Sequence, residues 1–149
     1  MAASARQAAN RRLLRARDAM DRSYADALDI EALADSVHLS RAHFIRSFRE
    51  TFGETPHRYL QRRRIERAMS LLRETDRPVS EICLDVGFWS LGTFSRTFRD
   101  IVGTSATAYR KREQAAPRAA IRAGVPGCMA AIWDRPSSTF GEDRRPPRE

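Results

Sequence analysis

The chain repeats itself about one long helix, and that repeat limits what it can fold into. Residues Thr55–Glu74 read as a rod: Thr55 offers an N-cap oxygen and Pro56 suits the first helical position. Ile65, Ala68, Met69 and Leu72 recur at i, i+3, i+4, i+7, which marks one apolar face. Arg58, Arg62, Arg63, Arg64, Arg67 and Arg73 occupy the other faces. On one side of this rod lie Ile30, Leu33, Ala34 and Val37; on the other, shifted by 49, lie Val79, Ile82, Cys83 and Val86. A further set, Ser40, Phe44, Arg46, Phe48 and Gly53, returns as Ser90, Phe94, Arg96, Phe98 and Gly103, shifted by 50. Tyr109 answers Tyr59 in the same way.

Each copy reads as a short helix, a tight turn and a longer helix, which is the pattern of a helix-turn-helix. Short helices are expected over about 31–37 and again from Val79, with His38-Leu39 as the first turn. Gly87-Phe88-Trp89 forms the second turn, one residue longer. Longer helices follow, the first over 41–52, with Ser40 and Ser90 as N-caps and Gly53 and Gly103 at the C-terminal ends. A helix over about 11–23, with Leu13, Leu14, Met20 and Tyr24 as a partial apolar face, precedes the first copy. A last helix over about 105–112 follows the second, and Ser105 caps it because Ala106 stands where the first copy has Pro56. Strand-like alternation is nearly absent, so the fold class is all-α. The expected organisation is a flexible terminus over 1–10, a helical domain over 11–113 and a mostly irregular extension over 114–149. Within the domain, the first helix-turn-helix covers about 30–53, the linker helix 55–74 and the second unit 79–103. The extension holds one apolar patch, Val125–Trp133, expected to dock weakly on the body, with a small strand or a partner-binding segment as the alternatives.

Charge narrows the function. The 149 residues carry +8 and a pI near 10.8. Lys111 is the only lysine among 27 basic residues. A GC-rich coding sequence favours arginine over lysine, but the net excess of positive charge still points to a polyanionic partner, most simply nucleic acid. No stretch approaches the 18 apolar residues of a membrane span, the N-terminus lacks a signal-peptide core, and the two cysteines, Cys83 and Cys128, stand far apart. A reduced cytoplasmic compartment is expected. No Ser/His/Asp set, phosphate loop, paired carboxylates or metal-ligand cluster is evident, so neither an enzyme, a metal site nor a cofactor is expected.

The run LADSVHLSRAHFIRSFRETFGETPHRYL, then RRIERAMSLL, then VSEICLDVGFWSLGTFSRTFRDIVGTSATAYRK resembles the AraC/XylS family of bacterial transcription regulators. Its most specific part is Val86–Phe98. The resemblance implies a seven-helix DNA-binding domain whose two recognition helices enter successive major grooves, so that a monomer reads an asymmetric site. Only about ten residues precede the first helix, which is similar to the stand-alone members that lack a sensing domain. By resemblance, positions 42, 45 and 46 of the first recognition helix, and 91, 92, 93 and 96 of the second, face base edges.

Arg46 and Arg96 are the expected direct readers, each able to bond guanine O6 and N7 together. Arg41, Arg49 and Arg99 are assigned to phosphates. Ala42 and Ile45 can meet a thymine methyl, and Ile45 can alternatively pack on a neighbouring helix. Leu91 and Gly92 depart from the polar residues common there, and Thr93 lies beside Arg96. Trp89 is expected to cap the core in preference to touching the DNA backbone. The family habit implies an activator that contacts RNA polymerase. DNA-repair alkyl transferases share this type of domain, but they need a cysteine cluster that two isolated cysteines do not supply. Two alternatives remain open: a non-specific architectural DNA binder, and a truncated regulator that has lost its sensing domain.

Overall fold

The computed structural model describes residues 2–122, with side chains from residue 4 to residue 116. Among these residues the chain forms seven α-helices and no strand: α1 (Ala2–Arg22), α2 (Ile30–Ser36), α3 (Arg41–Phe52), α4 (Pro56–Glu74), α5 (Val79–Asp85), α6 (Leu91–Val102) and α7 (Ala106–Arg122). The patch Val125–Trp133 and Cys128 lie outside the described residues.

Local chemistry sets most of these boundaries. Asp29 caps α2 by accepting from Ala32 N at 2.9 Å. Ser40, Thr55, Ser90 and Ser105 each accept a backbone N–H three residues on, at 3.1–3.3 Å. Side-chain oxygens thus satisfy N–H groups that the first helical turn leaves unpaired. Gly53 and Gly103 end α3 and α6 at φ of 80° and 86°, each donating to the carbonyl four residues back at 2.8 Å.

Two ends differ from expectation. α1 begins at Ala2 instead of near Arg11, because the preceding segment is rich in alanine, the best helix former. Its buried face is Leu13, Ala16 and Met20, whereas Leu14 points outward. α7 runs past the expected end at Arg112 to Arg122. Gln114 fastens it to the end of α4, donating from Nε2 to the carbonyls of Leu72 and Thr75 and to Asp76 Oδ1 at 3.2–3.4 Å.

There are two cores, and α4 belongs to both. The first gathers Leu13, Ala16, Met20, Ala34, Val37, Phe44, Phe48, Tyr59 and Leu60. The second gathers Ile65, Ala68, Leu72, Ile82, Cys83, Val86, Phe88, Phe94, Phe98, Ala106 and Tyr109. Leu13, Ala16 and Met20 of α1 therefore stand to the first core as Ile65, Ala68 and Leu72 of α4 stand to the second, at an offset of 52. The repeat is a four-helix unit used twice. α4 closes the first copy with its N-terminal turns and opens the second with the rest. Its 19 residues span about 28 Å at 1.5 Å each. The aromatic geometry repeats as well: Phe48 meets Tyr59 and Phe98 meets Tyr109, both edge-on at 5.7 Å.

Candidate nucleic-acid interface

Phe44 and Phe48 on α3, and Phe94 and Phe98 on α6, are fully buried. Burying such side chains stabilises each unit by about 2–3 kcal/mol apiece and fixes the rotation of each helix about its axis. The residues singled out on the other faces are turned outward, with one exception. Arg41, Ala42, Arg46 and Arg49 are exposed on α3; Leu91, Gly92, Thr93, Arg96 and Arg99 are exposed on α6. Ile45 is the exception among the residues singled out in the sequence. It is half-buried and lines a groove beside α4. The offset of 50 pairs Arg46 with Arg96 and Arg49 with Arg99, and it also places His43 opposite Thr93 and Ser95 opposite Ile45. Ser95 is exposed in the register of a candidate reader, and the repeat itself was the signal that would have found it.

The arginines divide into two groups. Among the described residues, Arg46, Arg49, Arg96 and Arg99 have no carboxylate within salt-bridge distance, and their guanidinium groups donate no hydrogen bond. Arg41 pairs with Glu31 at 3.0 Å, but both side chains are well exposed, so the pair is worth little and can exchange for a phosphate.

The rod's central arginines are committed internally, which their position in the sequence did not reveal. Arg62 bridges Glu54 at 2.7 Å and Glu66 at 2.6 Å, while Arg63 bridges Asp21 at 2.9 Å and Glu66 at 2.6 Å. Burial alone would lower both guanidinium pKa values; the carboxylate hydrogen bonds and charges outweigh it and hold both above the usual arginine value. Arg64 has backbone partners instead, donating from Nε to Tyr24 O at 2.7 Å and from Nη2 to Asp26 O at 2.6 Å. Burial therefore pulls its pKa below the usual value, against a smaller opposing effect of the Asp26 charge.

Arg64 also lies over the Phe88 ring at 5.8 Å. It joins the α1–α2 loop to the turn of the second unit. In that turn Gly87 adopts φ +94°, and a Cβ there would stand 2.6 Å from the Ala25 carbonyl oxygen. The first unit's turn has His38 in the equivalent left-handed place, at φ 58°. Equivalent hydrogen bonds close both turns: Leu39 N to Ala34 O and Phe88 N to Cys83 O, each 3.0 Å.

Trp89 corrects the expectation that it caps the core: it is 91% exposed. Phe88 already fills the core position, edge-on to Phe94 at 5.4 Å. The extra residue of the longer second turn is thereby pushed outward, immediately before the Ser90 cap.

Among the described residues no group of three or more His, Cys, Asp or Glu side chains is placed to hold a metal ion, and no helix is long and apolar enough to cross a membrane. Cys83 is buried, its thiol pKa raised by burial, with Sγ 3.7 Å from the Phe88 carbonyl. That environment makes it a packing residue.

Residues 33–112 match the family model of a helix-turn-helix domain. The regulatory protein SoxS of Salmonella typhimurium is 35% identical over 85 residues, covering 57% of this chain and 79% of SoxS. An uncharacterised HTH-type transcriptional regulator of Haemophilus influenzae is 38% identical over 82 residues, 55% of this chain and 28% of that protein. The transcriptional activator RhaS of Escherichia fergusonii is 37% identical over 92 residues, 62% of this chain and 33% of RhaS. The matched region thus spans about a third of the length of these longer curated relatives. Among solved structures, the DNA-binding domain of AdpA, in complex with a target DNA, is similar at a TM-score of 0.65 and 31% identity, over 69% of this chain and 93% of that one. An AraC-type regulator from Chromobacterium violaceum is similar at 0.65 and 28% identity, over 70% and 93%.

Proposed function

Because the chain belongs to the AraC/XylS family of helix-turn-helix DNA-binding domains, we propose that it is a sequence-specific transcription regulator that seats α3 and α6 in successive major grooves of one duplex. One observation carries this: two recognition helices in equivalent positions, each presenting an exposed arginine that has no salt-bridge partner among the described residues, Arg46 and Arg96 at the same register, on either side of a shared rod. Adjacent major grooves lie about 34 Å apart, and a stiff spacer is what holds two readers in step. The related domain of AdpA is in complex with its target DNA.

In this arrangement Arg46 and Arg96 read guanine, while Ala42, Leu91, Gly92 and Thr93 supply shape and apolar contact to neighbouring bases; Ile45, half-buried in the groove beside α4, takes the packing role. Arg41, Arg49 and Arg99 hold phosphates and set register. A monomer fills both grooves, so the site is asymmetric. The protein acts as an activator in the cytoplasm, through RNA polymerase. That last step follows the family habit, and transcription in vitro from a promoter carrying the selected site measures its sign.

Competition binding tests the central reading. A duplex selected from a random pool should bind at least about 10³-fold tighter than random DNA at the same salt concentration. A ratio near one, with steep salt dependence, would instead describe an architectural binder held by charge alone.

A further inference from the structure

A groove of about 470 Å³ is lined by α3, by the first half of α4, by Ala27, Leu28 and Ile30 around the start of α2, and by Trp89 in the turn just ahead of α6. The rod contributes Leu60, Gln61 and Arg64 to it, α3 contributes Arg41 and Ile45, and Trp89 is the one lining residue from the second unit. Among the described residues no acidic side chain lines it, while Arg41, His57 and Arg64 do. In the two-groove arrangement, a duplex that runs from α3 to α6 passes the turn holding Trp89 and therefore this groove. The strand that crosses it is sugar and phosphate, and the groove matches that chemistry in charge.

Trp89 is the unexplained residue. Packing inside the protein does not account for an indole exposed to 91%. Its flat apolar face suits a deoxyribose, and its single N–H suits a phosphate oxygen. We propose that Trp89, with Arg41 of the same groove, grips the sugar–phosphate backbone of the segment between the two major grooves, as a third DNA contact. The inference rests on the two-groove reading above. It assigns Trp89 to affinity and spacing, with no part in reading bases.

The experiment uses the full chain carrying Trp133→Phe, so that Trp89 is the only tryptophan left of the two. Titration with the selected duplex should change Trp89 emission saturably, at one duplex per protein. Trp89→Ala should weaken binding to that duplex about tenfold, the scale of one aromatic–nucleotide contact. Base preferences at the blocks read by Arg46 and Arg96 should stay unchanged. Its melting temperature should stay within about 2 °C of the parent's, because little packing is lost. Two-block binding with unchanged Trp89 emission and parental affinity in Trp89→Ala would overturn this contact and leave the two-groove reading standing. Absence of any site-selective binding by the parent would overturn both.

Discussion

The Tyr59 hydroxyl donates to the Asp21 carboxylate at 2.8 Å, tying α4 to α1 inside the first unit. At the same place in the second unit, Tyr109 accepts from Arg73 Nη1 at 3.2 Å. Arg73 follows Asp21 by the offset of 52 that relates the buried faces of α1 and α4. Both tyrosines keep their phenylalanine neighbours, and both lie under an arginine, Arg62 at 5.1 Å and Arg112 at 5.6 Å from the ring centroids. The apolar frame of the unit is preserved, while the polar end of the contact has reversed its charge.

Tyr59→Phe should cost about 1–2 kcal/mol in urea denaturation, since it removes one hydrogen bond to a charged acceptor. Asp21 keeps Arg63 at 2.9 Å, so the fold survives. Burial, then the Asp21 hydrogen bond and charge, hold the Tyr59 pKa above the ordinary phenol value of 10.0. A folded state that keeps its proton longer than the unfolded chain is fully stabilised below that value and loses stability as pH rises beyond it. Stability should therefore fall from about pH 10 upward, and less steeply in Tyr59→Phe.

Gly87→Ala should destabilise by at least about 2 kcal/mol, from the positive φ and the clash with the Ala25 carbonyl together. His38→Gly, at the equivalent place in the first turn, should change stability by less than about 1 kcal/mol, because glycine accepts that backbone freely. Thermal melts of the two variants side by side measure the difference. Equal effects would mean that the approach of Ala25 does not constrain the second turn.

Arg64→Ala should do two things. Stability should drop by about 1–3 kcal/mol, as the Tyr24 and Asp26 carbonyls lose their partner. Affinity for the selected duplex should fall more than affinity for random DNA, because Arg64 joins the loop of one unit to the turn of the other. Arg64→Lys should not restore both contacts, since a single ammonium lacks the planar fork that reaches two carbonyls.

Arg46→Ala and Arg96→Ala should each lose about 1–3 kcal/mol of binding and relax base preference at one position. Arg99→Ala should weaken binding to all sequences alike. Quantitative selection with each variant reads both effects.

Much of this is legible in the sequence. The repeat, the serine and threonine caps, the αL glycines and the limits of α3 and α4 follow from local chemistry. Phe44, Phe48, Phe94 and Phe98 marked the inward faces, and thereby the outward ones. What escaped depends on tertiary placement. Trp89 reads as core by its chemistry, yet the one-residue insertion gives that place to Phe88. Rod arginines look free in a helical projection, but Arg62, Arg63 and Arg64 meet partners as far as 42 residues away. Ala16 is buried where the larger Leu14 is exposed, because size in the sequence does not report how closely α1 approaches α3. The start of α1 shows alanine propensity alone extending a helix beyond its apolar face.

Footprinting the purified protein on its selected duplex, at about 0.15 M salt, tests the two-groove arrangement most directly. One asymmetric footprint of about 20 bp, with two preferred blocks one helical turn apart, is the expected result. A single preferred block, or protection with no block at all, would contradict it.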